Sequence, residues 1–241
     1  PTNWWEQEPL RIVEMQNGFE FSEKSEILSD LGANMEHLVR FNDTSPGTAF
    51  LLNHGLFPGK SVDFSSLEAY LNETAKKNLR VVIYYNVHAI ETSYAIQHPQ
   101  WQQVMDNGEP IKAVYGIDSS FCINSPWREE VFRTLRRLAS YKIAGVFYDG
   151  PIFFANTCSC ASCKSLFRQQ YQKELPSKSD ISARRNTEEW RQLLEFQSDS
   201  IARFLRDSNK VLKEINPQLL LYMNGNTLAP TWPTGRSNRK I

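Results

Sequence analysis

The stretch "IAGVFYDGP", residues 143–151, decides the fold. An apolar run rich in aromatic and β-branched residues breaks off on a carboxylate, and Gly-Pro follows at once. Such a run reads as a buried strand, with the turn placing Asp149 at its C-terminal end. Working outward, four more runs have the same character: "RIVEM" (11–15), "MEHLVRF" (35–41), "LRVVIYY" (79–85) and "LLLYMN" (219–224). Helical patterns lie between them. One runs from Ser22 to a C-cap at Gly32, and another follows a capping box at Ser65 and Glu68. A third starts at Ser125-Pro126, and a fourth runs from Thr187 to the Asn216-Pro217 stop. Alternation of this kind predicts βαβ units and a parallel sheet.

Two architectures fit that alternation, a doubly wound open sheet and a (β/α) barrel. "MQNGFEFSEK" after the first strand carries no G-x-G-x-x-G, and no G-x-x-x-x-G-K-[ST] occurs, so nucleotide binding loses its main support. Strand ends that are polar or acidic (Asn42, Asn86 with His88, Asp149, Asn224) suit a barrel whose upper rim is the working face. Five βα steps are visible where a complete barrel has eight.

The 27 Lys and Arg balance the 27 Asp and Glu, so the net charge is zero and a nucleic-acid partner is disfavoured. No run of eighteen apolar residues exists, which excludes a helical membrane span. Aromatics make up 12% of the chain, with six tryptophans; most such rings pack cores, and some line sugar-binding clefts. The chain opens on Pro1 rather than a methionine, which leaves targeting open.

From His88 to Ile123 runs a long connection with little helical periodicity and a hairpin turn at "DNGEP" (106–110). Connections of this length are often lids or binding loops. It contains Cys122, and the next connection contains Cys158, Cys160 and Cys163 in "CSCASCKSLF". Three thiolates at ligand spacing, with a fourth available, favour a closed structural zinc site over two disulfides or unrelated thiols. Such a site would pin two neighbouring rim loops beside Asp149. It also implies reducing conditions, which favours the cytoplasm.

Asp149 stands where catalytic carboxylates stand in barrels, although an Asp at a strand end also serves to cap the following turn. Glu14, inside the first apolar run, either faces the barrel interior near a pocket floor or is a paired core acid. His54 and His88 fall on rim loops, where neutral imidazoles bind sugar hydroxyls, whereas His37 alternates within a strand and reads as packed. No G-x-S-x-G and no H-E-x-x-H occurs, so esterase and metalloprotease readings are weak.

The ordered set "HPQWQQVMDNGEP", "CINSPWREEV", "IAGVFYDGPIFF" and "CSCASCKSLFRQQY" resembles the bacterial glycosyl-hydrolase-like family six, barrel proteins related to α-L-fucosidases. The likeness runs from about residue 8 to the C-terminus. The cysteine spacing is similar to the zinc site of thermophile-type β-galactosidases. The resemblance implies a (β/α)8 TIM-barrel type, apparently truncated after about five βα units. Residues 1–241 would be the N-terminal part of one catalytic barrel, with strands six to eight and further domains absent and another polypeptide a candidate to complete it. It also implies a retaining glycoside hydrolase for α-L-fucosides or a related glycoside, the nucleophile pattern falling on Asp149 and Gly150. Glu14, His54, Tyr85, His88, Trp101 and Asn224 are the expected sugar contacts, and Cys122, Cys158, Cys160 and Cys163 the zinc ligands. The competing expectation is a non-catalytic carbohydrate-binding barrel.

Overall fold

A computed structural model describes residues 3–14, 21–38, 64–112, 118–154, 157–177, 186–225, 235–236 and 240. The five expected strands form one parallel sheet: β1 (Ile12–Val13), β2 (Met35–Leu38), β3 (Arg80–Asn86), β6 (Gly145–Asp149) and β7 (Leu220–Met223). Between β3 and β6 lies a separate antiparallel pair, β4 (Ala89–Glu91) and β5 (Asp118–Ser120). The sheet order β1-β2-β3-β6-β7 follows the chain without reversal. A doubly wound sheet reverses direction at its switch point, whereas a barrel winds one way only. The order therefore resolves the choice in favour of the barrel type.

The helices are α1 (Phe21–Asp30), α2 (Phe64–Lys76), the single turn α3 (Thr92–Ala95), α4 (Trp127–Ala139), α5 (Ala161–Tyr171) and α6 (Glu188–Ile215). Trp127, Val131, Phe132, Leu135 and Leu138 recur at helical spacing and form the buried stripe of α4. Ser125 Oγ accepts from the Trp127 N–H at 3.3 Å, and Glu129 and Glu130 sit in the positive first turn. Thr187 Oγ1 accepts from the Trp190 N–H at 3.3 Å and starts α6, which Asn216 ends. Ser22 lies inside the first turn of α1, one residue after its start, and α2 is already helical at Ser65. Gly32 takes the expected left-handed conformation after α1, with φ of 71°.

Alternate strand residues go to opposite faces. Val81, Ile83, Tyr85, Val146 and Tyr148 face the helices and are almost fully buried. Tyr148 stacks on Phe204 of α6 at 5.7 Å and donates from its hydroxyl to Ser208 Oγ at 3.0 Å. Glu36 of β2 points the same way, and its carboxylate meets Lys24 of α1 at 2.5 Å and the Tyr70 hydroxyl of α2. Burial raises the Glu36 pKa, and the Lys24 charge opposes that rise. The other face carries His37, Tyr84, Phe147 and Tyr222, all half-buried. Gly145 is required between β6 and β7, because a Cβ there would lie 2.2 Å from the Leu220 carbonyl oxygen.

The described part of the connection expected as a lid or binding loop is a packed unit. Its turn closes as expected, with Met105 N–H donating to the Glu109 carbonyl at 2.8 Å and Gly108 at φ of 85°. Trp101, Phe121 and Trp127 pack edge-on or tilted at centroid distances of 5.1–5.9 Å.

Candidate active site

β3, β6 and β7 end side by side, with Asn86 in register with Asp149, and the chain leaving β7 at Asn224. The Asp149 carboxylate is held at both oxygens. Asn224 Nδ2 donates to Oδ1 at 2.6 Å, and the Tyr84 hydroxyl donates to Oδ2. Asn224 Oδ1 in turn accepts from the Gly150 N–H at 3.1 Å, so one amide fixes both the carboxylate and the turn behind it. The Asp149 backbone carbonyl accepts from Val87 N–H at 3.2 Å and meets His88 Nδ1 at 2.7 Å. Asn86 Oδ1 receives the His88 and Ala89 N–H groups at 3.0 and 2.9 Å, which fixes the start of the rim.

Gly150 is needed at the turn. It takes φ of 97°, and a Cβ there would lie 2.1 Å from His88 Nδ1. Burial depresses the His88 pKa to about 4, against the Asp149 charge and its backbone hydrogen bond. The imidazole is therefore neutral at pH 7 and donates from Nδ1 to the Asp149 carbonyl. Beneath Asp149, Phe147 stacks on His37 at 4.7 Å and lies 5.2 Å from the Tyr222 ring, and the Tyr222 hydroxyl meets His37 Nε2. The result is a half-open aromatic surface below a fixed carboxylate.

The cysteines meet on the flank of this rim. The sulfurs of Cys122, Cys158, Cys160 and Cys163 all lie within 4.8 Å of one another, and all four residues are buried. A tetrahedron with ~2.3 Å metal–sulfur bonds has sulfur–sulfur edges of about 3.8 Å. Cys122 and Cys163 stand 3.5 Å apart, far beyond the ~2.05 Å of a disulfide, and all four thiols are free. The donor set therefore fits one tetrahedral soft metal ion. Two N–H groups aim at the sulfurs: Cys163 N–H at Cys160 Sγ, 3.5 Å, and Asn124 Nδ2 at Cys163 Sγ, 3.4 Å. Hydrogen bonds from Cys122 first, then Cys158 and Cys163, hold the Cys160 thiol well below its usual range.

Gln103 connects this flank to the segment that follows Asp149. Its Nε2 donates to the carbonyls of Phe121 at 3.1 Å and Ile152 at 2.8 Å, and its Oε1 accepts from Phe154 N–H at 3.2 Å. Ser159 bonds the hairpin twice, N–H to the Val104 carbonyl at 2.8 Å and Oγ to Asp106 at 2.6 Å.

Of the expected sugar contacts, Asn224 and His88 join the Asp149 assembly, as hydrogen-bond partners of Asp149 itself. Glu14 is exposed just past β1, close enough to His37 for its charge to oppose the burial that lowers the His37 pKa. His54 lies outside the described residues. Two expectations need correction. Tyr85 has no exposed surface, because it occupies the helix-facing side of β3, and Tyr84 is the ring that reaches Asp149. Trp101 is spent on core packing: it is 9% exposed, and His98 covers one ring face at 3.9 Å. Sequence reading also missed Gln103 and Arg236. For Tyr84 the sequence alone gave no signal, since its parity with Asn86 matters only once Asn86 is in register with Asp149. For Arg236 there was none either.

Residues 48–150 match the model of a family described as hypothetical glycosyl hydrolase 6. No curated protein sequence matches the chain. Among solved structures, α-L-fucosidase isoenzyme 2 from Paenibacillus thiaminolyticus is similar at 18% identity and a TM-score of 0.59, over 89% of this chain and 32% of that one. A β-galactosidase from Halorubrum lacusprofundi gives 15% identity and 0.65, over 91% and 36%. The PgaB (BpsB) glycoside hydrolase domain from Bordetella bronchiseptica gives 13% and 0.62, over 90% and 65%. The chain thus spans about a third of the first two structures. At these identities the likeness is one of fold, the barrel of glycoside hydrolases.

Proposed function

We propose that this chain carries the nucleophile and the metal-clamped rim of a retaining glycoside hydrolase acting on α-L-fucosides or a related glycoside. The observation that carries the reading is the Asp149 carboxylate at the C-terminal end of β6, aimed by Tyr84 and Asn224 above the His37–Phe147–Tyr222 surface. Two neutral donors fix the carboxylate without removing its charge, which suits attack on an anomeric carbon. Asp149 displaces the leaving group to form a glycosyl ester, and water then hydrolyses it. The second carboxyl of such a reaction stands about 5–5.5 Å from the nucleophile, donates a proton to the leaving oxygen and later activates water. The aromatic surface packs against the apolar face of the sugar ring.

The four cysteines hold zinc. With all four positions filled by protein sulfur, the ion offers no place for water or substrate, and its contribution is structural. It ties Cys122 of one rim connection to the three cysteines of the next.

A non-catalytic carbohydrate-binding barrel is the competing reading, favoured by the engagement of both Asp149 oxygens in protein hydrogen bonds. Azide separates the two. In the full-length protein Asp149→Gly should abolish turnover of aryl glycosides, and azide should restore it with a glycosyl azide product. A lectin-like barrel shows no turnover to restore, and undiminished activity of Asp149→Gly contradicts the proposal.

A further inference from the structure

The nucleophile assembly leaves one charge unexplained. Arg236 is only 9% exposed, and its Nε donates to the Pro151 carbonyl at 3.1 Å, two residues past Asp149. Its backbone is seated on α6: Gly235 takes φ of 88° and lies so close that a Cβ would come within 3.0 Å of the Gln197 carbonyl oxygen. Among the described residues no carboxylate forms an ion pair with the guanidinium, whose one recorded hydrogen bond goes to a neutral carbonyl. Burying a guanidinium this way is unfavourable unless an anion compensates it.

Asp149 is the charge whose field acts on Arg236, opposing the effect of its burial, and His88 beside it is neutral. The retaining reaction removes that compensation. Esterification neutralises Asp149, and the oxocarbenium-like transition state adds positive charge to the sugar. A fixed, buried cation then opposes the chemistry, unless the glycan brings an anion of its own.

We propose that Arg236 forms an anion subsite beside Asp149, so that the glycan this site takes carries a carboxylate or a sulfate ester close to the scissile bond. The inference rests on the nucleophile reading of Asp149. The guanidinium suits both groups, since its planar fork donates paired hydrogen bonds to two oxygens.

Binding tests this without turnover, so its outcome is independent of the azide result. The full-length protein is titrated calorimetrically, at ionic strength held constant with chloride, with D-galacturonate, inorganic sulfate and neutral D-galactose. One of the two anions should bind at least tenfold more tightly than galactose. Preference for galacturonate identifies a uronic acid, and preference for sulfate a sulfate ester. Arg236→Gln should lose the preference, and Asp149→Asn should strengthen anion binding by removing a repelling charge. Should Arg236→Gln fail to fold, Arg236→Lys decides: it should weaken anion binding several-fold. No preference over galactose in the wild type, or an equal preference in the Arg236 variant, overturns the proposal.

Discussion

Tyr84 and Tyr85 stand side by side on β3 and point to opposite faces of the sheet. Tyr85 has no exposed surface, packs 6.0 Å from Tyr148, and burial pushes its phenol pKa up. Tyr84 is half-buried and hydrogen-bonds Asp149. The same division runs along β6, where Tyr148 is buried against α6 while Phe147 and Asp149 face the open side. The helix-facing side spends its aromatics on burial, the dominant favourable contribution to folding. The other side keeps polar tips at the ends of its rings and a carboxylate at the rim. Substitutions on the first side should change stability, and those on the second should change chemistry.

The sharpest break of that comparison is Asp149→Ala, which should lower kcat for an aryl glycoside by roughly 10^4-fold or more, as removal of a nucleophile does elsewhere. Its loss of stability in urea unfolding should be smaller than that of Phe204→Ala on the helix-facing side, and a larger loss would erase the distinction between faces. Removing the metal comes next. Elemental analysis should find about one zinc per chain, and Cys160→Ser should lose most of it and lower Tm. A chain with no metal, or with two disulfides by mass spectrometry, contradicts the assignment. On the helix-facing side, Phe204→Ala should cost about 3–5 kcal/mol in urea unfolding, because the ring contacts Tyr148 and Phe132 in a close-packed layer.

Tyr84→Phe should be milder and of the opposite kind. A hydrogen bond to an ionised carboxylate is worth about 1.5–3 kcal/mol, so kcat/KM should fall roughly tenfold to a hundredfold. Tyr85→Phe, its neighbour on the helix-facing side, should leave kcat/KM near the wild-type value.

His88 is read through pH instead of through a rate. Its folded pKa of about 4 lies below the unfolded value near 6.5, so the unfolded chain takes up the proton first. The contribution is fully present above about pH 6.5 and is lost as pH falls towards 4. Stability measured across that window should drop less steeply in His88→Gln than in wild type.

The five strands were legible because each is a short apolar run that stops on a polar residue, and Asp149 and Asn224 were legible as two of those stops. The four-cysteine cluster was legible because three of its four members are close in sequence. The phase of β3 was not. The run "RVVIYY" is apolar or aromatic at nearly every position and shows no alternation, so Tyr84 and Tyr85 look equivalent until the register with β6 is known. The 88–123 connection lacked periodicity because its described residues form an antiparallel pair with single-turn elements, packed by Trp101, Gln103 and Phe121 rather than by a repeating stripe. Arg236 was invisible for a different reason: a lone arginine in "TGRSNRK" reads as a solvated charge, and only the fold buries it beside Pro151.

The most direct measurement is to trap the intermediate. The full-length protein is incubated with the 2-deoxy-2-fluoro glycosyl fluoride that corresponds to its best aryl substrate. The fluorine at C2 slows both steps, and the good leaving group lets the ester accumulate. Peptide mass spectrometry should then find one added fluoroglycosyl group, on Asp149. A label on another carboxylate, or steady hydrolysis with inversion at the anomeric carbon and no label at all, would contradict the account.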